Sequence, residues 1–171
     1  MKTPILEKIE TLFSENSFAE VSMDDIAKGL DMKKASLYYH FPSKEQMFVE
    51  VLEFSFSKYK TYLTELMENP SLDKILLGII GYPMESKNLF SVVSQKGYCK
   101  IGVIRDLIVL KNMELLEIFY RYFHEKYGFN QEKTMLLQSL LNDLSKKYCI
   151  FDCHETLDSG KLIPEIIKIF F

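Results

Sequence analysis

Apolar residues recur along most of this chain at helical spacing. Ile5, Leu6, Ile9, Leu12 and Phe13 form one stripe behind Thr3, a good N-cap, and Pro4, suited to a first helical position. A fuller start signal follows: Ser22 with Asp25 reads as a capping box, and Val21 with Ile26 occupies the two positions of a hydrophobic staple. Together they predict a helix from about Met23 to Leu30. A second box, Ser43 with Gln46, opens another helix just after Pro42. Between the two lies a turn and then a short helix from about Lys34 to His40, ended by Pro42 because the residue before a proline is driven out of helical conformation. The pattern is helix, tight turn, helix.

From Ser43 the helical spacing runs on through Phe48, Val51, Leu52, Phe54, Tyr59, Tyr62, Leu63 and Leu66 until Asn69-Pro70. Shorter helices are predicted at about 72–80 and 85–95, punctuated by Gly81, Pro83 and Gly97. A longer one covers about 103–127, closed by Gly128 as the residue past its C-cap, and two more cover about 131–152 and 160–170. The prediction is an all-α chain of about nine helices. Composition agrees: 171 residues, 47% hydrophobic and 26% charged, suit one folded domain or two small ones and exclude a disordered tail. With only 7 Gly and 5 Pro, a turn-dense all-β architecture is excluded as well.

Glu7, Lys8 and Glu10 interrupt the N-terminus, so no secretory signal is expected, and no run of about 18 apolar residues offers a membrane span. These point to a cytoplasmic protein. The net charge is −3, so any affinity for nucleic acid has to come from a local patch. One exists: from Lys28 to Lys44 the chain holds Lys28, Lys33, Lys34 and Lys44 against the lone Asp31, a local charge of +3. Leu37 and Phe41 stand four apart and turn the short helix inward against Ile9, Phe13, Phe18, Ile26 and Leu30, which leaves Ala35, Ser36, Tyr38 and Tyr39 on the opposite arc. Lys33 and Lys34 sit at that helix's N-terminus, where backbone N–H groups attract phosphate, and Lys44 marks a second such point. Arg105 and Arg121 are the only Arg residues and lie far along the chain, so bidentate Arg-to-guanine contacts are not the means of choosing a DNA site.

The stretch from Ser22 to Phe48, above all Leu37-Tyr38-Tyr39-His40-Phe41-Pro42-Ser43-Lys44, resembles the helix-turn-helix signature of the TetR (tetracycline-repressor-like) family of bacterial transcriptional regulators. The likeness covers about residues 5–50. It implies an N-terminal three-helix DNA-binding domain over 1–47 and a helical effector-binding and dimerisation domain over 48–171. It implies that Lys34, Ala35, Ser36 and Tyr39 face base edges and nearby phosphates, while Ser22, Lys33, Tyr38, His40 and Lys44 hold the DNA backbone. Small Ala35 and Ser36 let a helix approach the groove, and Tyr hydroxyls and Lys suit phosphate oxygens. Three positions depart from the family pattern: Asp31 stands where Gly is usual in the turn, Asn16-Ser17 replaces a Gly after the first helix, and Lys33 replaces a common Ser. Asp31 matters most, because a non-Gly residue tolerates left-handed conformation poorly.

Residues 48–171 hold 18 of the 23 aromatic residues, a composition suited to a bundle core and to a pocket for a hydrophobic or planar small molecule. The resemblance implies such a pocket, for which Tyr62, Phe90, Arg105 and Asn112 are candidate lining residues. The stripe Met135, Leu136, Leu137, Leu140, Leu141, Leu144, Tyr148 and Phe151 is wider than one neighbour requires, and Leu162 to Phe171 is apolar on most sides. A homodimer through the helices at about 131–152 and 160–171 is expected, with two reading helices one DNA turn apart on a palindromic operator. Cys149 and Cys153 lie four apart with His154 next, an arrangement open to a thiol or metal sensor or simply to small residues near a helix end. No Gly-rich phosphate loop, HExxH, GxSxG or paired carboxylates occur, so neither an enzyme nor a cofactor is expected. Three readings stand: a ligand-responsive repressor, a small-molecule- or partner-binding helical module whose helix-turn-helix is degenerate, or a thiol or metal sensor using Cys149 and Cys153.

Overall fold

The computed structural model describes residues 3–16, 18–68, 71–86, 88–96, 102–151 and 159–171. Among them lie nine α-helices and no strand: α1 (Thr3–Glu15), α2 (Met23–Gly29), α3 (Lys34–His40), α4 (Lys44–Met67), α5 (Leu72–Ser86), α6 (Leu89–Lys96), α7 (Gly102–Tyr127), α8 (Gln131–Phe151) and α9 (Ser159–Phe170). The interruption expected at Gly81 and Pro83 does not occur, and α5 continues to Ser86. Its buried Ile75, Leu76, Ile79 and Ile80 outweigh the one backbone donor that a proline withholds. The expected stops at Asn69-Pro70 and Gly97 lie outside the described residues, as do Cys99, Cys153, His154 and the side chain of Cys149, and with them the thiol or metal reading. No described helix is long and apolar enough to cross a membrane.

The chain divides into two compact units, residues 1–59 with 87–107, and residues 60–86 with 108–171. In the first, α1 packs on α2 and α6, and α2 on α3. Ile9, Ile26, Leu37 and Phe41 are fully enclosed. The ring of Phe48 meets Phe13 edge-on at 4.8 Å and Phe18 at 4.9 Å between centroids.

The same unit encloses a polar node. Glu10 of α1 is only 5% exposed, in an arc between Leu6 and Phe13 that is otherwise apolar. Its carboxylate accepts from the Ser55 hydroxyl at 2.7 Å, from the Lys58 ammonium at 2.9 Å and from the Leu89 backbone N–H at 3.3 Å. The next amide, Phe90 N–H, donates to Ser55 Oγ at 2.9 Å, and Ser91 N–H donates to Asn88 Oδ1 at 3.1 Å. Asn88 itself donates to the Ser55 carbonyl. Three amides left over at the start of α6 are thus bonded from three sources: α1, α4 and the helix's own N-cap.

In the second unit α5 packs on α8 and α9. Tyr62 stacks on Tyr82 at 4.0 Å, and its hydroxyl donates to the Gly78 carbonyl at 3.2 Å. Glycine at 78 makes that approach possible, since a Cβ there would fall 2.7 Å from the Tyr62 oxygen and from Leu66 Cδ2. Gly128, with φ +68°, ends α7 as its spacing predicted, and Gly128 N–H returns to the His124 carbonyl at 2.9 Å. Phe123 and Tyr127 at the end of α7 form one ring cluster with Phe129 and Phe171.

Candidate nucleic-acid interface

The interface is built outward from α2. Ser22 caps that helix as its spacing predicted: its hydroxyl accepts from Asp25 N–H, and the Asp25 carboxylate accepts from Ser22 N–H at 3.0 Å. The Ser22 hydroxyl also donates to the Asp25 carboxylate at 2.5 Å, and this bond first, then the one from Ser22 N–H, holds the Asp25 carboxyl below its ordinary range. Val21 and Ile26 are both buried, completing the staple.

At the other end of α2 the chain must reverse. Asp31 adopts φ 53°, the left-handed conformation that glycine normally supplies. Its N–H returns to the Lys28 carbonyl at 3.1 Å, and the Met32 N–H to the Ala27 carbonyl at 2.9 Å, the paired bonds of a Schellman turn. The departure from glycine therefore leaves the turn built, at the conformational cost of a side chain in this region. Phe41 then ends α3 in extended conformation, φ −136° and ψ 102°, as the following Pro42 requires. Ser43 caps α4, its hydroxyl accepting from Gln46 N–H at 3.1 Å.

Of the seven residues of α3, Leu37 alone is buried. Lys34, Ala35, Ser36, Tyr38, Tyr39 and His40 all face outward, and Tyr39 is 87% exposed. Lys33 precedes them, exposed and in extended conformation. The Tyr39 and His40 rings stand edge to face at 5.4 Å. Lys44 lies with its ammonium 4.3 Å from the centre of the Phe18 ring. Lys34 is bound to Asp24 Oδ2 at 2.8 Å, a partnership across the turn that the sequence reading did not include. Ten residues separate the two, and no helical spacing relates them. The structure thus leaves Lys33 to Ser36 and Tyr38 to His40 exposed around the buried Leu37, with Ser22 and Lys44 at the starts of the helices on either side.

The four candidate pocket residues are divided between the units. Phe90, 1% exposed, packs in the first against Phe56 and Tyr59, and Arg105 in the same unit pairs with its neighbour Asp106 at 3.2 Å. Tyr62 and Asn112 belong to the second, Tyr62 engaged with Gly78 and Tyr82, Asn112 exposed on α7. Among the described residues no group of three or more His, Cys, Asp or Glu side chains is placed to hold a metal.

Residues 5–51 match the family of bacterial regulatory proteins, tetR family. The biofilm operon icaADBC HTH-type negative transcriptional regulator IcaR of Staphylococcus epidermidis is 40% identical over 63 residues, which span 37% of this chain and 34% of that protein. Across the whole chain the fold is similar to that of a transcriptional regulator (TerR/AcrR family) from Aquifex aeolicus, with a TM-score of 0.76 and 21% identity over 99% of both chains. It is also similar to AibR in complex with isovaleryl coenzyme A and operator DNA, with a TM-score of 0.72 and 17% identity over 99% of this chain and 97% of that one.

Proposed function

We propose that this chain, whose residues 5–51 match the tetR family of bacterial regulatory proteins, is a cytoplasmic, non-enzymatic, DNA-binding transcriptional repressor released from its operator by a small molecule. The observation that carries this reading is α3, which presents every side chain but Leu37 to solvent on a locally basic segment. An ordinary surface helix buries a stripe; this one keeps six side chains for a partner. Lys34, Ala35, Ser36 and Tyr39 are assigned to base edges and nearby phosphates, and Ser22, Lys33, Tyr38, His40 and Lys44 to the DNA backbone.

Residues 1–47 are assigned to DNA and 48–171 to effector and dimer. Met135 and Leu136 of α8 and Ile169 of α9 are 48%, 65% and 72% exposed, apolar surface of the kind that a second copy covers. The AibR structure, with its acyl-coenzyme A and operator DNA, supports an effector with a hydrophobic portion. Such an effector need only bind the DNA-free state better, by about 1.4 kcal/mol for each tenfold of release.

The test is fluorescence-anisotropy titration of the purified protein against DNA from upstream of its own coding sequence, in a salt series, beside a scrambled duplex and the Tyr39→Ala variant. Salt-sensitive, Tyr39-dependent preference for the native fragment is expected. Equal and salt-insensitive weakness on both duplexes, together with failure to select any sequence from a random library, would leave a degenerate helix-turn-helix as the better reading.

A further inference from the structure

A helix that offers its side chains to DNA would be expected to hold its cations ready, yet Lys34 at the head of α3 is already occupied by Asp24 of α2 at 2.8 Å. The pair is open to water, its side chains 49% and 58% exposed, so it adds little to the fold, and folding alone gives no reason for it. The other carboxylate of this turn, Asp25, is committed to Ser22 and to the cap of α2. Asp24 has no such duty in the cap, and its bond reaches across to α3 instead. The hydrogen bond to Asp24 also holds the Lys34 ammonium above its ordinary value.

We propose that Asp24 is an internal competitor for Lys34, occupying the ammonium in the free protein and surrendering it to a backbone phosphate oxygen when DNA binds. This deepens the reading of α3 as the DNA-facing helix and rests on it. Carboxylate and phosphate oxygens take an ammonium through the same charge-assisted bond, so the exchange is nearly balanced in hydrogen bonding. What remains is the released Asp24 carboxylate, left close to the phosphates. It opposes binding and cancels about one cation's share of the counterion release, which for duplex DNA is about 0.9 in the slope of log K against log salt. Asp24 thereby sets affinity and salt sensitivity without itself touching DNA. A residue that merely propped Lys34 in place would have the opposite effect on removal.

The test uses the full chain with Asp24→Asn, Lys34→Gln and the double variant, titrated on a mixed-sequence duplex over a salt series, since phosphate contacts are independent of sequence. Thermal melts verify folding, and Asp24→Ser, which keeps a residue suited to a first helical turn, stands in if Asp24→Asn does not fold. Asp24→Asn is expected to bind about two- to fivefold tighter, with a slope steeper by about 0.9. Lys34→Gln is expected to cost more in the Asp24→Asn background than alone, because only there is the ammonium uncontested. Salt-sensitive wild-type binding with Asp24→Asn unchanged or weaker overturns the exchange and leaves the DNA reading standing. Folded protein that shows no salt-sensitive binding in any form overturns the DNA reading, and the exchange with it.

Discussion

The short helices α3 and α6 belong to the same compact unit and treat their polar groups in opposite ways. α3 keeps its other side chains in water and is held by Leu37 and by the buried Phe41 at its C-cap. α6 begins in the interior, where Glu10, Ser55 and Asn88 each satisfy one of its leading amides. Water covers the unmet valences of the first, and buried partners must supply those of the second. An exposed helix can therefore be anchored through apolar packing alone, while an enclosed helix end demands a specific set of polar side chains.

The sharpest way to break this comparison is Leu37→Ala. The side chain is wholly buried, so its truncation is expected to cost about 2–5 kcal/mol of unfolding free energy, measured by urea titration. A cost under about 1 kcal/mol would mean that other contacts hold α3. Next comes Glu10→Ala, which strands the Ser55 hydroxyl and the Leu89 amide and is expected to cost about 2–3 kcal/mol. Glu10→Gln keeps an acceptor and should cost clearly less, with amide exchange at Leu89 and Phe90 slowed relative to the alanine variant. Equal costs would mean that packing, not hydrogen bonding, is what Glu10 supplies.

Asp31→Gly is a smaller change of opposite sign. It relieves φ 53° and is expected to stabilise by about 0.5 kcal/mol after the greater chain entropy of glycine is set against it. The acid limb should reveal the cap of α2. With its folded pKa lowered by the Ser22 bonds, Asp25 contributes stability that is present above the ordinary carboxylate range and lost as pH falls through the lowered value. In Ser22→Ala that acid-side loss should shrink, read as a flatter dependence of the urea midpoint on pH below the ordinary range. Least of all should Tyr39→Ala disturb folding, by no more than about 0.5 kcal/mol at a site 87% exposed, while DNA affinity falls by about tenfold or more.

Much of the candidate interface was legible because its determinants are local. Ser22 and Asp25 are three apart, Leu37 and Phe41 four, and Pro42 acts on its immediate neighbour. Each of these spacings acts within one or two turns of helix, and the structure realises each of them. The determinants that escaped are those whose partners lie far along the chain or across a turn. Glu10 reads as one more surface charge until Ser55 and Leu89 are brought to it, although its place between Leu6 and Phe13 on an apolar arc was a signal. The bond from Lys34 to Asp24 depends on the angle at which α3 leaves the turn at Asp31, which no periodicity encodes. α5 ran past Gly81 and Pro83 because local breaking tendencies yielded to burial of its apolar face. The candidate pocket residues had no local rule to place them, and they are divided between the two units.

The anchorage of α3 through Leu37 and Phe41 also bears on how such a protein changes over generations. Where the requirement for folding is concentrated in two side chains, the positions around them are released from that requirement and are free to vary. Lys34, Ala35, Ser36, Tyr38, Tyr39 and His40 form a cassette that mutation can rewrite without first compensating a loss of stability. A library randomised at those six positions, with Leu37 and Phe41 held fixed, should yield mostly folded members. Duplicated copies of such a gene can accordingly part ways in what α3 contacts while the scaffold beneath it stays the same.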